Sequence, residues 1–354
     1  MTTTQLAAVG TMSAAGIVAN HVASRAVFAD YQQRKSKKSL SAHFSDLATF
    51  AEYICSAGAD CPTADELQND PDAWQGVTWG LVAGFVQWML GQGLALATVN
   101  RKLSTVKVYA GLAGQTQTGE FNEKGKPIYM IDGDELARIK NIKGFAAKEF
   151  KKVDDKRKAA GRATRKGSKK AKGAVLTTEQ AKALKAQPDT PQGRRDAVMM
   201  SLLLDHGLRV GELAMLQVTD VDLAAGEVRF YRPKVSKSQT HKLTKGARAA
   251  LRAYMPEAPA MGPLLRGSVK GGALSAPGMN VTAITVRVGK LGAALGIDNL
   301  SAHDCRHFWA TRAIRKGADP FAVLQAGGWT SMATVQKYVD ETAIANAGID
   351  DSGD

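Results

Sequence analysis

Cysteine is scarce in this sequence. The 354 residues contain three, Cys55, Cys61 and Cys305, an odd and sparse set that argues against a disulfide framework and for a reducing, intracellular compartment. Long apolar runs are missing as well: stretches such as Ala197 to Leu204 fall well short of the roughly 20 residues of a bilayer crossing. The alanine-rich first thirty residues lack a basic segment before Ala14 to Val18, which argues against a secretory signal. The expectation is a cytoplasmic protein with no membrane partner. Also absent are a Gly-x4-Gly-Lys-Ser/Thr phosphate loop, a His-Glu-x2-His pair and a Cys-x2-Cys pair. ATP and structural zinc are therefore not indicated, and no cofactor or metal is expected.

Negative charge is in short supply. Lys and Arg number 47 against 33 Asp and Glu, a formal charge of +14 with an isoelectric point near 9.6, which biases the partner toward a polyanion, nucleic acid first. A solvated basic surface would account for the total almost as well, so charge alone decides little. The length and the 44% hydrophobic content exceed what one core usually covers, so two domains are expected.

Helical periodicity runs through Leu47, Phe50 and Ile54, and again through Val82, Phe85, Met89 and Leu90. Gly91-Gln92-Gly93 closes the second helix. Thr98 is placed to cap a third, in which Val99, Leu103 and Val106 face a core while Arg101, Lys102 and Lys107 stay accessible. Residues 39–115 thus read as a small helical domain with a basic helix, preceded by an N-terminal arm, 1–38. Residues 116–174 read as a basic linker or insertion, with eleven Lys/Arg between Lys151 and Lys172 against Asp154 and Asp155. A second domain, 175–340, opens with Thr177 or Thr178 as a cap. It continues with a buried helix, Arg194 to Asp205, ended by Gly207, and then a short strand, Glu227 to Arg232, with Gln239 to Thr244 returning antiparallel. Helices fill Val281 to Val339, and an acidic tail, 341–354, follows. No fixed-period repeat is present.

The second domain carries a chain-ordered set of phosphate-reactive residues: Arg209, a lysine in the hairpin loop, His303 with Arg306, and Tyr338. Taken singly each has an ordinary structural explanation. Arg209 can pair with Glu212 three positions on, His303 can be a core histidine with His307 nearly as good a candidate by type, and Tyr338 is one of seven tyrosines. In this order and at these spacings chance is a poor explanation. Gly207-Leu208-Arg209-Val210-Gly211-Glu212-Leu213 resembles the first arginine box of the tyrosine recombinase (phage integrase) family. Ser301-Ala302-His303-Asp304-Cys305-Arg306-His307 resembles its His-x2-Arg box. Gly328-Trp329 followed by Tyr338 resembles its final box, with Trp329 standing where histidine is more usual and Cys305 where leucine often is. The resemblance covers most of residues 39–340.

The resemblance implies a mainly α fold: a helical, SAM-like core-binding domain at 39–115 and a mostly helical catalytic domain at 175–340 with a small β-hairpin, together a C-shaped clamp on DNA. It implies attack of Tyr338 on a DNA phosphate, giving a 3′-phosphotyrosyl link and a free 5′-hydroxyl without metal or ATP. Residue chemistry agrees. His303 and Arg306 share a helix face. Arg209 adds a second planar fork for the nonbridging oxygens. His303 is the group best suited to take the phenolic proton near neutral pH. Lys234 is chosen as general acid, Lys237 remaining open, and Trp329 supports the site by packing and its indole N–H. Glu212 is a supporting residue, and Arg101, Lys102, Lys107 and Lys237 are candidate DNA contacts.

The partners implied are double-stranded recombination sites and three like subunits. A homotetramer would form on paired sites from free monomers or dimers, with room for an accessory DNA-bending factor. The acidic tail would dock in trans or simply fray. The setting implied is a phage or mobile-element enzyme at the nucleoid. A type IB topoisomerase and a non-catalytic DNA-binding protein on the same scaffold are the rival functions.

Overall fold

The computed structural model describes residues 12–58, 61–161 and 173–340, and the chain divides into two compact units, 1–169 and 170–354. Residues 1–11 of the N-terminal arm, 162–172 of the basic run and the whole acidic tail lie outside the described residues.

The first unit is built from α1 (Met12–Gln33), α2 (Lys37–Ser56), α3 (Ala64–Asn69), α4 (Trp79–Gly91) and α5 (Leu96–Ala113). These are followed by the antiparallel pair β1 (Gln117–Phe121) and β2 (Pro127–Tyr129), then α6 (Gly133–Asn141) and α7 (Phe150–Ala159). The periodic residues of the sequence meet as expected. Phe50 of α2 packs edge-on against Phe85 of α4 with centroids 5.0 Å apart, and Trp74 stacks at 5.9 Å while its indole donates to the Leu67 carbonyl. Each such buried ring removes enough apolar surface from water to contribute about 2–3 kcal/mol.

Several expectations change here. The arm 1–38 contains α1, whose Phe28 enters the core and whose Arg25 pairs with Asp72, because Phe28 and Tyr31, three apart, put two aromatic rings on one helix face. Of the segment 116–174, the part to Ala159 is folded onto this unit: Met130, Ile131 and Ile139 are core residues. Arg157 is buried, donating to the Leu90 and Leu94 carbonyls at the C-terminal end of α4, where a cation meets the negative end of the helix dipole. The high average charge of the segment hid these few anchors. Finally, α5 begins at Leu96 with Ala95, not Thr98, as N-cap, because Leu96 and Val99 bury together one turn apart. Cys55 and Cys61 form a disulfide across the turn after α2, a pairing their sparse number did not suggest, while Cys305 is free and buried.

The second unit runs α8 (Thr178–Lys185), α9 (Pro191–His206), α10 (Val210–Met215), the sheet β3 (Val221–Asp222), β4 (Glu227–Arg232) and β5 (Lys237–Lys242), α11 (Lys245–Tyr254), the pair β6 (Arg266–Ser268) and β7 (Leu274–Gly278), then α12 (Val281–Ala293), α13 (Ala302–Arg315), α14 (Pro320–Gly327) and α15 (Met332–Asp340). Thr177 caps α8 in a reciprocal box with Gln180. Helix α9 is buried on every side from Val198 to Leu204 and is the axis of the core. It stops at Gly207, whose φ of +62° places it in the left-handed region. A β-carbon there would also collide with the Trp309 ring. Asp205 binds Lys185 at 3.0 Å and Arg312 at 3.1 Å, tying α8, α9 and α13 together. The return strand spans Lys237–Lys242 where Gln239–Thr244 was expected, since the ladder runs from Glu227 opposite Lys242 to Arg232 opposite Lys237.

Candidate functional site

The end of α9, the start of α10, the hairpin, one face of α13 and the α14–α15 corner come together in the second unit. Arg209 is the N-cap of α10, directly after the Gly207 turn. Its guanidinium donates to Glu212 Oε1 at 2.7 Å and to the Gly328 carbonyl at 3.1 Å, and its side chain stays 26% exposed. Arg306, on α13, is buried and donates to the carbonyls of Gly207 and Gly327. Its guanidinium lies over the Trp329 ring at 4.4 Å. Burial, reinforced by Arg209, pushes Arg306 down to about 9, still well above neutrality, so it remains a cation. The two arginines thus converge on adjacent carbonyls at the C-terminal end of α14.

The Gly327-Gly328 pair makes that convergence possible. Gly328 has a φ of +58° and ends α14, and a β-carbon on it would lie 2.7 Å from Arg232 Cδ. One on Gly327 would enter the Trp329 ring. Backbone, indole and guanidinium therefore share space that only glycine leaves open.

Tyr338, on α15, is buried in a small cluster with Trp309, Ala310 and Val323. Its ring lies 5.4 Å from Trp329 and 5.1 Å from His307. His303 sits one turn before His307 on α13, their Nε2 atoms 2.9 Å apart. In such a contact one ring nitrogen donates and the other accepts, the roles being set by the two tautomers. Desolvation first, then His307, Arg306 and Arg209, hold His303 below the ordinary histidine value against the opposing pull of Asp304. A cavity of about 990 Å³ opens beside His303 and His307, walled by residues 173–179 and by Arg312, Arg315 and Lys316.

The structure brings Arg209, Glu212, His303, Arg306, Trp329 and Tyr338 together. Lys234 is exposed in the turn 233–236, and no hydrogen bond or ion pair joins it to those residues; Lys237 opens β5, exposed as well. On α5 two of the three expected cations are engaged within the unit, one buried and one half-buried. Lys102 is buried, with Nζ 2.7 Å from Thr49 Oγ1 and 3.3 Å from Asp46, and Lys107 donates to the carbonyls of Lys140 and Ile142. Arg101 alone is exposed, paired with Asp46. The helix buries a wider face than the sequence pattern allowed, because Asp46 supplies an inward-facing counter-charge.

Arg232 was not foreseen. It is 1% exposed at the inner, alternate positions of β4 that also hold Val228 and Phe230. Its Nη1 donates to Glu212 at 3.1 Å and Gly327 O at 2.9 Å, its Nη2 to Ala326 O at 2.6 Å and its Nε to Gln239 at 2.6 Å. A charged residue at an inward strand position was the available signal.

Residues 174–343 match the model of the phage integrase family. Among curated proteins, tyrosine recombinase XerD of Xanthomonas axonopodis pv. citri is 33% identical over 178 residues, 46% of this chain and 57% of that protein. Tyrosine recombinase XerC of Haemophilus ducreyi is 32% identical over 159 residues, 44% and 50% respectively. The chain spans about half the length of the curated relatives it matches. Among solved structures, the Tn1549 transposon integrase in complex with transposon right end DNA superposes with a TM-score of 0.56 at 14% identity, over 92% of this chain and 97% of that one. A lambda integrase dimer bound to a COC′ core site gives 0.55 at 14% identity, over 90% and 94%. At these identities the likeness is one of fold, mainly helical with small antiparallel sheets.

Proposed function

We propose that the protein is a site-specific DNA recombinase that cuts and rejoins DNA through a covalent tyrosine link, a reading supported by the match of residues 174–343 to the phage integrase family model. The observation that carries this reading is the convergence of Arg209 and Arg306 on the Gly328 and Gly327 carbonyls, with Trp329 and Tyr338 packed beside them. Tyr338 Oη attacks the scissile phosphorus as the P–O5′ bond breaks, the phenolic proton passes to His303, and the departing O5′ takes a proton from Lys234. Arg209 and Arg306 hold the nonbridging oxygens. Three arginines, Arg209, Arg232 and Arg306, against the single carboxylate Glu212 leave two positive charges. That excess suits the dianionic five-coordinate phosphorus better than the monoanionic diester, which is the sense in which such a cluster lowers a barrier. These side chains fill the charge and proton roles that a metal would otherwise take.

The first unit grips the duplex as a core-binding domain, with Arg101 among its phosphate contacts, and Lys237 does the same on the hairpin. Four protomers act on two sites, the acidic tail couples neighbouring subunits, and the basic run 162–172 neutralises DNA phosphates. The reaction takes place at the nucleoid, in the cytoplasm; among the described residues no helix is long and apolar enough to cross a membrane.

Covalent capture tests the reading. The protein is incubated with DNA flanking its own gene, denatured, and the DNA that stays attached is sequenced. A 3′-phosphotyrosyl junction at one sequence, with strand exchange only between two such sites, is expected. Relaxation of supercoils without a paired site would replace the reading with a type IB topoisomerase, and tight binding with no adduct would replace it with a DNA-binding scaffold.

The cleavage rate also has an expected pH dependence. His303 must be unprotonated to accept the phenolic proton, and its lowered pKa places the acid limb below the ordinary histidine range. His307→Gln removes the side chain whose electrostatic effect lowers His303, raises the His303 pKa and moves that limb to higher pH. A pH profile of single-turnover cleavage measures this; an unmoved limb would mean that His307 does not set the His303 proton affinity.

A further inference from the structure

We infer that Arg232 is a positioning residue: its buried guanidinium fixes the tip of the β4–β5 hairpin so that Lys234 delivers a proton to the leaving 5′ oxygen. The inference rests on the recombinase reading above and deepens it.

The tip of the hairpin lacks an apolar anchor. Tyr231, Pro233, Lys234, Ser236, Lys237 and Ser238 are all exposed, and β5 has no buried residue. Hydrophobic packing therefore sets the far end of the hairpin, through Val228 and Phe230, but leaves the tip free to swing. Arg232 closes that gap. It is the last ladder residue before the turn, opposite Lys237, and its carbonyl accepts from Val235 N at 3.1 Å to close the turn that carries Lys234.

The guanidinium uses Nε and both Nη atoms. It spans to Gln239 on the return strand, to Glu212 behind Arg209, and to the Ala326 and Gly327 carbonyls before Trp329. Gln239 adds a second tie, its Nε2 donating to the Gln325 carbonyl at 2.9 Å. Gly327 O accepts from both Arg232 and Arg306. One side chain thus holds the loop that bears the proton donor at a fixed distance from the arginines that hold the phosphate. A planar fork with fixed donor directions suits that task, and a lysine or an apolar residue does not.

A leaving-group substitution separates this role from a merely structural one. The DNA duplex recovered by covalent capture is synthesised with oxygen or with sulfur at the bridging 5′ position of the scissile phosphate. A thiolate departs without being protonated, so the sulfur substrate bypasses the general acid. Lys234→Ala is expected to cleave the oxygen substrate about 10²-fold more slowly or worse, and the sulfur substrate at nearly the wild-type rate. Arg232→Met is expected to lose much more on the oxygen substrate than on the sulfur one, the sulfur rate staying below wild type because one of the three arginine charges is gone. Arg232→Lys is expected to keep the charge and show a partial loss that sulfur restores, and Gln239→Leu a weaker loss that sulfur also restores. Equal loss on both substrates in Arg232→Lys and Gln239→Leu would show that the tether serves phosphate binding or folding and overturn the inference. So would undiminished cleavage of the oxygen substrate by Arg232→Met. Failure of sulfur to restore Lys234→Ala would overturn it through Lys234 itself, while capture of the adduct leaves the recombinase reading standing.

Discussion

Tyr338→Phe, a loss of one oxygen atom, is expected to abolish covalent capture of DNA while leaving DNA binding and folding intact. The ring of Tyr338 is 4% exposed and packed among Trp329, His307 and Trp309, and phenylalanine fills the same volume in the same rotamer. Without the phenolic oxygen there is no atom to form the ester. Removal of a catalytic nucleophile commonly costs on the order of 10⁴- to 10⁶-fold in rate, which puts adducts below detection in a denaturing gel. A gel-shift titration run alongside should match the wild type, and a thermal melt should stay within a few degrees of it. Persistent adduct in the variant would move the nucleophile elsewhere. In the second unit Tyr254 is buried and donates to Leu264 O, so the exposed Tyr231 on the hairpin would be the next candidate.

Glu212→Ala is expected to have the largest effect on stability. Glu212 is 3% exposed and accepts from the backbone and guanidinium of Arg209 and from Arg232. Its removal leaves the almost wholly buried Arg232 with carbonyl and amide acceptors but no counter-charge. Breaking a buried ion pair by deleting one partner costs about 3–5 kcal/mol. For a unit of this size that lowers Tm by roughly 6–20 °C. Glu212→Gln keeps the shape and one acceptor oxygen, and should cost about 1–3 kcal/mol. Because the pair is buried, added salt should screen the difference only weakly. Thermal denaturation of the three proteins measures it, and a Glu212→Ala variant within about 1 kcal/mol of wild type would show that the carboxylate is not what balances the arginines. Taken with the Tyr338 result, the two variants separate chemistry from scaffold: one expected to fold and not react, the other to lose fold and reaction together.

The helices of both units were legible because their burial is periodic. Leu47, Phe50 and Ile54, or Val82, Phe85 and Met89, report one buried face whatever lies opposite. Caps and stops such as Thr177 and Gly207 were legible for a local reason as well: a side-chain acceptor or a left-handed φ is a requirement of the segment itself. The candidate site residues Arg209, His303, Arg306 and Tyr338 were singled out by their order and spacing. Misread were α1 and residues 116–159, where a few anchors such as Phe28, Ile139 and Arg157 outweigh a polar average. Lys102 and Lys107 were taken for a DNA-facing pair although Asp46 and the carbonyls that end α6 draw them inward.

The sequence by itself determined the mainly helical class, the basic charge, the hairpin and the set of side chains proposed to react, because periodicity, charge and residue chemistry are properties of the chain alone. Only the tertiary structure decided which cations are exposed and which are spent inside the protein, that the Nε2 atoms of His303 and His307 meet, and that Arg232 ties the hairpin to Glu212 and Gly327. Those facts depend on partners such as Glu212 and Gly327, which stand 20 and 95 residues away from Arg232. The energy of a charge is set by what surrounds it once water is gone, and no local pattern records that.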